Sequence, residues 1–301
     1  MWSTLPPESS QGTSFGGIGV HARVLKVNGK LSRRIDVPLG GGGNIHPRVV
    51  VSASGNATVL WEFLDGPGPA AIHAANIRGG GRLGPVSDIS RETDGAYLGD
   101  VAVDSGGTLT VAWSSSGPSG SNAILVRRVR ANGSLGPIFV LATGASAADT
   151  HSGPRVVPDG AGNAIVAWYF STQRPPDKFS TTVEERRIDL SGNLGPLTDA
   201  AAPFADIGAL AITVDAAGNQ TLGWVRLPLP LQSWNYIVQA RRIERSGSLG
   251  AVETFASGTC PACYPTAPSL FSDADGVVKA VWLEPQPGLR AAIKLSRFAP
   301  G

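Results

Sequence analysis

Apolar and polar residues alternate in short runs along the chain, and the runs come in pairs. Val101–Asp104 leads through a Gly-rich turn into Thr108–Trp113, and the same arrangement returns at Val156–Asp159 with Ala164–Trp168. It returns again at Thr213–Asp215 with Thr221–Trp224, at Phe271–Asp273 with Val277–Trp282, and in a more divergent form at Val49–Ser52 with Ala57–Trp61. Period-two alternation predicts strands. The intervening D-x-x-G predicts a hairpin, because the Asp side chain caps the turn and the Gly supplies its positive φ.

A third strand follows each pair, at Ile124–Val129, Val183–Ile188 and Val238–Ile243, and more loosely at His21–Leu25, Ile72–Ile77 and Ile293–Phe298. Turns at Asn132–Pro137, Ser191–Pro196 and Ser246–Gly250 then lead into a short fourth strand. Trp residues at positions 2, 61, 113, 168, 224 and 282 recur every 52 to 59 residues. Four short strands per period, with no helical periodicity, predict an all-β chain, a β-propeller of four-stranded blades. A β-sandwich would carry no such fixed period.

The ends of the array are uneven. Residues 1–47 supply the end of a second strand and strands three and four. Complete units span 48–98, 99–153, 154–208 and 209–266, and residues 267–301 supply strands one to three of a last unit. The expectation is one propeller domain of five to six blades with partial first and last units, cut from a longer protein. Either the partial units complement each other, or one edge stays exposed as an aggregation liability.

Composition narrows the function classes. The 301 residues include 39 Gly and 23 Pro, 42% are apolar and only 16% charged. That is enough apolar content for a core, which excludes disorder, and no run approaches the roughly 18 apolar residues of a membrane helix. A net charge of +2 gives no polyelectrolyte footprint, so neither a nucleic-acid partner nor a membrane span is expected. No cofactor is implied. The first ten residues lack the basic and apolar regions of a signal peptide.

The motifs Val-Ala-Val-Asp-x-x-Gly, Val-Ala-Trp, Val-x-x-Arg-Arg and Gly-x-Leu-Gly-Pro resemble the β-propeller repeat arrays of uncharacterised secreted proteins of high-GC bacteria. They are more distantly similar to NHL-type and Asp-box propellers. The resemblance implies an extracellular or cell-surface location, with the export signal absent from this chain, and it carries no known activity. In the sialidase Asp-box the Trp follows the Gly within two residues, whereas Trp113 lies six residues after Gly107, so a sialidase is not implied.

Candidate sites follow from the alternation of strand direction. Loops from strand two to three and from blade to blade share one end, and these are the long, irregular ones; variable loops on a rigid scaffold are where binding resides. Four residues before the turn position of each first strand stand Arg48, Asp100, Arg155, Ala211 and Ser269, with His46 and His151 just upstream. Together Arg48, Asp100, Arg155, His46 and His151 would make a basic channel mouth for an anionic or sugar ligand, held by charge-assisted hydrogen bonds. The competing reading is a solvated ring in which the arginines pair with Asp100. The periodic Trp residues read as blade packing, whereas Trp234, outside the period and beside Tyr236, is the candidate for an exposed stacking residue, with loop anchoring as the competing reading; Trp234 and Tyr236 join the ligand-binding candidates.

Cys260 and Cys263 form a C-x-x-C with no second half, which reads as a local disulfide or a free pair before metal or redox chemistry. No metal site is expected. Gly79–Gly84 fits a dinucleotide fingerprint and Gly12–Gly16 a nucleophile elbow, but neither has a strand–helix context. The sequons at Asn56, Asn132 and Asn219 are turn residues. The reading that results is a non-enzymatic binding or surface-interaction module for glycan or protein, of unknown oligomeric state, using the long-loop end. The alternatives are a carbohydrate-active hydrolase or lyase and a purely structural repeat segment. Catalysis would require two of Glu8, Glu62, Asp65, Asp149, Asp177, Asp206 and Glu284 to converge, and spacing alone pairs none of them.

Overall fold

The computed structural model describes residues 2–4, 19–25, 28–37, 43–64, 69–78, 81–91, 95–116, 122–146, 148–174, 178–204, 207–227, 235–259, 268–273, 275–286 and 290–298. Among these the strands form antiparallel sheets, and no helix is long and apolar enough to cross a membrane. The chain divides into two compact units, Met1–Ala142 and Thr143–Gly301. Each unit is a run of propeller blades.

In the first unit, β1 (Trp2–Thr4), β2 (Gly19–Ala22) and β3 (Ile35–Asp36) make a three-stranded blade 1. Blade 2 is β4 (Gly43–Val51), β5 (Ala57–Leu64), β6 (Ala71–Arg78) and β7 (Arg82–Asp88). Blade 3 is β8 (Ala96–Val103), β9 (Leu109–Ser115), β10 (Ala123–Val129) and β11 (Leu135–Thr143). In the second unit, blade 4 is β12 (Asp149–Pro158), β13 (Ala164–Arg174), β14 (Lys178–Ile188) and β15 (Thr198–Asp199). Blade 5 is β16 (Ile207–Val214), β17 (Gln220–Arg226), β18 (Asn235–Ile243) and β19 (Leu249–Thr259). The three-stranded blade 6 is β20 (Ser269–Ser272), β21 (Val278–Gln286) and β22 (Arg290–Phe298).

The hairpin turns are built as their residues dictate. Asp104 Oδ1 accepts the Thr108 N–H at 2.8 Å, Asp215 Oδ1 the Ala217 and Asn219 N–H groups at 2.9 Å, and Asp273 Oδ1 the Val277 N–H at 3.0 Å. The turn glycines Gly107, Gly218 and Gly276 take φ of 82°, 84° and 76°, which a β-carbon would strain. First strands begin several residues upstream of the alternating runs. A β-bulge breaks the alternation there, between Ile45 and Arg48, Leu98 and Asp100, Ser152 and Arg155, and Gly208 and Ala211. Pairing resumes beyond each bulge, and sequence alternation cannot follow it across.

Five of the recurring Trp residues are core. Trp61, Trp113, Trp168 and Trp224 are essentially inaccessible to solvent, and Trp282 is buried. Each of four apolar clusters joins one blade to the next. Trp61 packs with Val20 and Ile35 of blade 1, and Trp113 with Leu60 and Ile72 of blade 2. Trp224 packs with Ala167 and Val183 of blade 4, and Trp282 with Val238 of blade 5. The opposite face of blade 6 is different: Leu283, Ile293 and Leu295 are exposed there, whereas Leu60, Ala112 and Ala167, on the corresponding faces of blades 2 to 4, are buried.

The Arg-Arg pair of the third strand clasps blades together. Adjacent strand residues point to opposite faces, so the two guanidinium groups diverge. The first reaches back: Arg127 Nη1 donates to Asp88 O (3.0 Å) and Ile89 O (2.9 Å) of blade 2 and its neighbouring loop, and Arg241 Nη1 to Ala200 O (3.1 Å), beside blade 4. Each also fixes its own blade, through Nε to Gly136 O (2.8 Å) or Gly250 O (2.7 Å). The second reaches forward. Arg187 pairs with the turn Asp159 at 3.3 Å and donates to Gly218 O of blade 5 at 3.1 Å. Arg242 pairs with the turn Asp215 and donates to Gly276 O of blade 6 at 3.5 Å.

Two predictions follow from this construction. Trp113→Ala should lower unfolding free energy by about 3–5 kcal/mol in denaturant titration, the cost of emptying a packed aromatic site; an unchanged midpoint would place the ring outside the core. The second concerns acid. Partial burial of Asp159 and Asp215 opposes their ionisation, but the Asn163 or Asn219 amide, the turn N–H groups and Arg187 or Arg242 outweigh it and hold both carboxyls below the ordinary 3.8. A depressed folded-state value gives stability that is complete above the unfolded value and disappears as pH falls through the folded one. Stability should therefore drop below about pH 4, and Asp159→Asn with Asp215→Asn, though weaker at neutral pH, should show a shallower acid slope.

Candidate functional site

The bulge of each first strand lies at the long-loop end, and it places the side chains there. In blade 2 the residue inside the bulge is His46, with φ of 49°. The corresponding positions in blades 4 and 5 are Gly153 (60°) and Ala209 (60°). A left-handed backbone costs a bulky residue of order 1–3 kcal/mol, and such strain concentrates at working sites. The His46 ring is 65% exposed, and its Nδ1 lies 3.0 Å from Oε2 of the buried Glu62. Arg48, two residues on, is also exposed, with Nη1 donating to Pro47 O at 3.4 Å.

Glu62 holds this corner from beneath. It follows Trp61 and crosses to blade 3, where its Oε1 accepts the Leu98 N–H at 2.8 Å, a donor freed by the blade 3 bulge. Tyr169 plays the same part in the second unit, its hydroxyl accepting the Leu210 N–H beside the blade 5 bulge. Asp100, half-buried, accepts the Val101 N–H on Oδ1 at 2.9 Å. Arg155, half-buried in the second unit, donates from Nε to Leu210 O at 3.2 Å, which ties one edge of its guanidinium to blade 5.

Two expected site residues are core instead. His151 is buried, its ring stacked on Phe170 at 4.8 Å, and the Trp168 Nε1–H is shared between His151 Nδ1 (3.1 Å) and Glu184 Oε2 (2.8 Å). It serves the interior of blade 4 rather than a mouth. Tyr236, expected as a ligand-binding residue, is not exposed. It is buried in β18 opposite Gly258, where a β-carbon would meet the hydroxyl at 2.7 Å, and it packs with Trp282. Trp234, Cys260 and Cys263 lie outside the described residues.

Of the candidate carboxylates, Glu8, Asp65, Asp177 and Asp206 also lie outside the described residues, as does the side chain of Glu284. Asp149 caps its own loop, accepting the Ser146 N–H (3.0 Å) and Oγ–H (3.1 Å) on Oδ2. The carboxylates missed in the sequence are Glu184 and Glu185, side by side on β14 and both buried. Burial pushes the Glu185 carboxyl up despite Gln220, Thr198 and Arg187 beside it. The adjacent Glu-Glu inside an alternating strand was the available signal, since one of the two must then face inward.

Neither a protein-family model nor a curated protein matches the chain. Solved structures do. A Dyadobacter fermentans protein of unknown function aligns over 96% of this chain and 86% of its own, with TM-score 0.56 and 11% identity. An α-L-arabinanase of Penicillium chrysogenum, complexed with arabinobiose, aligns over 80% and 77%, with TM-score 0.52 and 14% identity. A polysaccharide lyase, an ulvan lyase, aligns over 83% of this chain and 66% of its own, with TM-score 0.53 and 8% identity. At such identities the likeness concerns architecture, and with the blade topology above it makes this an all-β chain with a β-propeller fold.

Proposed function

We propose that the chain is a glycan-binding β-propeller that works outside the cell and takes its ligand at the long-loop end. The observation that carries this reading is the His46–Arg48 corner. An exposed imidazole, held in a costly backbone conformation by a buried carboxylate, stands beside an exposed guanidinium on a rigid bulge. Arg offers a planar fork of donors that suits a carboxylate or sulfate, so the ligand class is an acidic glycan. Arg155, with the part of its guanidinium not used by Leu210, supplies a donor of the same kind in the second unit. The solved structures of like fold include, by their names, proteins that hold arabinobiose and degrade a polysaccharide, which supports saccharide as the ligand class.

Those names also favour a second reading, a carbohydrate-active hydrolase or lyase. It requires two carboxylates at roughly 5–10 Å for hydrolysis. Incubation with arabinan and with ulvan separates the two readings, since only an enzyme releases shorter products.

Binding to an acidic-glycan array should weaken as salt is raised, because exposed charge pairs are screened. Arg48→Ala should reduce the signal by about tenfold, the loss of one charge-assisted contact, with little change in thermal midpoint. Unaltered binding by Arg48→Ala, or none by the wild type, would remove this corner as the anchor.

A further inference from the structure

At the opposite end of the blades, where the hairpin turns are short and regular, the first unit holds a cavity of about 290 Å³ between blades 2 and 3. Its origin is a substitution in the clasp. In blades 4 and 5 this position holds an Arg–Asp pair, Arg187 with Asp159 and Arg242 with Asp215, and the guanidinium extends to the turn carbonyl of the following blade. In blade 2 the strand register puts Asn76 at the Arg position, since Asn76 faces Thr58 as Arg187 faces Ile165 and Arg242 faces Thr221. Ser52 stands at the Asp position and accepts the Asn56 N–H as the turn aspartates do. Both members of the ion pair are thus replaced by short neutral side chains, and no guanidinium stands at this position of blade 2 to reach Gly107, the blade 3 counterpart of Gly218 and Gly276.

What remains is a lined recess. Ser52, Asn56, Asn76 and the Gly107 backbone give it hydroxyl, amide and peptide groups, over an apolar floor that includes Val50, Leu109 and Val129. Thr58 Oγ1 donates to Asn76 Oδ1 at 2.7 Å, which fixes the Asn76 amide and leaves its nitrogen as a donor. Apart from Arg130, whose Nη1 donates to Ser134 Oγ at 3.5 Å, its lining is uncharged. Pockets for drug-sized ligands run to roughly 300–1,000 Å³, so this one suits a single small ring and not a chain.

We infer that the cavity between blades 2 and 3 is a binding site for one neutral saccharide ring, whose hydroxyl edge meets Asn76, Asn56 and Ser52 and whose C–H face lies on the apolar floor. The site is separate from the His46–Arg48 corner and does not rest on it.

The test rebuilds the clasp. Ser52→Asp with Asn76→Arg restores the pair seen in blades 4 and 5 and fills the recess. Wild-type protein is titrated with glucose, galactose, arabinose and rhamnose by ligand-observed NMR, and at least one should bind in the millimolar range expected of a small polar ligand. The rebuilt variant should melt cooperatively at or above the wild-type temperature and bind that sugar at least about tenfold more weakly. Thr58→Val, which frees the Asn76 amide without changing the side-chain size, should also weaken it. Acidic-glycan binding is measured on the same variants and should stay at the wild-type level, so the two readings fail separately. Absence of binding to all four sugars would overturn the inference, as would wild-type sugar affinity in a folded rebuilt variant. Should the rebuilt variant not fold, undiminished sugar binding by Thr58→Val overturns it.

Discussion

A single four-stranded antiparallel sheet has two apolar faces and cannot bury either by itself. Everything else depends on how that deficit is met, within each unit, by laying the Trp face of one blade on the back of the blade before it. The Trp supplies the area and the Arg-Arg pair supplies the register. Because neighbouring residues of a strand project to opposite sides, two consecutive arginines bind the blade behind and the blade ahead. Their acceptors are mostly main-chain carbonyls, Asp88, Ile89, Ala200 and Gly218 among them. Backbone acceptors exist whatever the side chain, so the clasp tolerates the drift in sequence between repeats.

The same arrangement explains how a chain with so little charge remains specific in its assembly. Several of its acidic side chains are spent internally: Asp159 and Asp215 on turns and guanidiniums, Glu62 on a bulge N–H, Glu184 on a Trp ring. A satisfied buried polar group fixes position in a way that apolar contact does not, since an alternative packing would leave it without a partner.

The repeat, its turns and the burial of its Trp residues were legible in the sequence because each depends on local chemistry: alternation, an Asp cap, a glycine at positive φ. Residues whose setting depends on the bulge were not. Counting back from the turn reaches Arg48 and Asp100, which stand just after the bulges, but it could not show that the strand continues beyond the bulge and turns His151 onto Phe170. Tyr236 was misread for a related reason. A sequence shows an aromatic next to a loop, and only the pairing with Gly258 shows that the sheet has made room for it. The Val-x-x-Arg-Arg motif was visible as a strand, but its purpose lies in carbonyl groups some forty residues away, which no local pattern encodes.

The bulges themselves have a consequence for variation. Those of blades 3 and 5 each release a backbone N–H, and the residue immediately after the Trp of the preceding blade is the one that reaches it, a carboxylate at Glu62 and a phenol at Tyr169. Any side chain of sufficient length with an acceptor at its tip can do this, whether anionic or neutral, wide or narrow. That position is therefore an adjustable pin: its structural duty is undemanding, while its charge sets the potential felt by whatever sits among the long loops. A repeat array of this kind can retune the electrostatics of its working end one blade at a time, with no change to strand pairing and no cost to the Trp-packed joints.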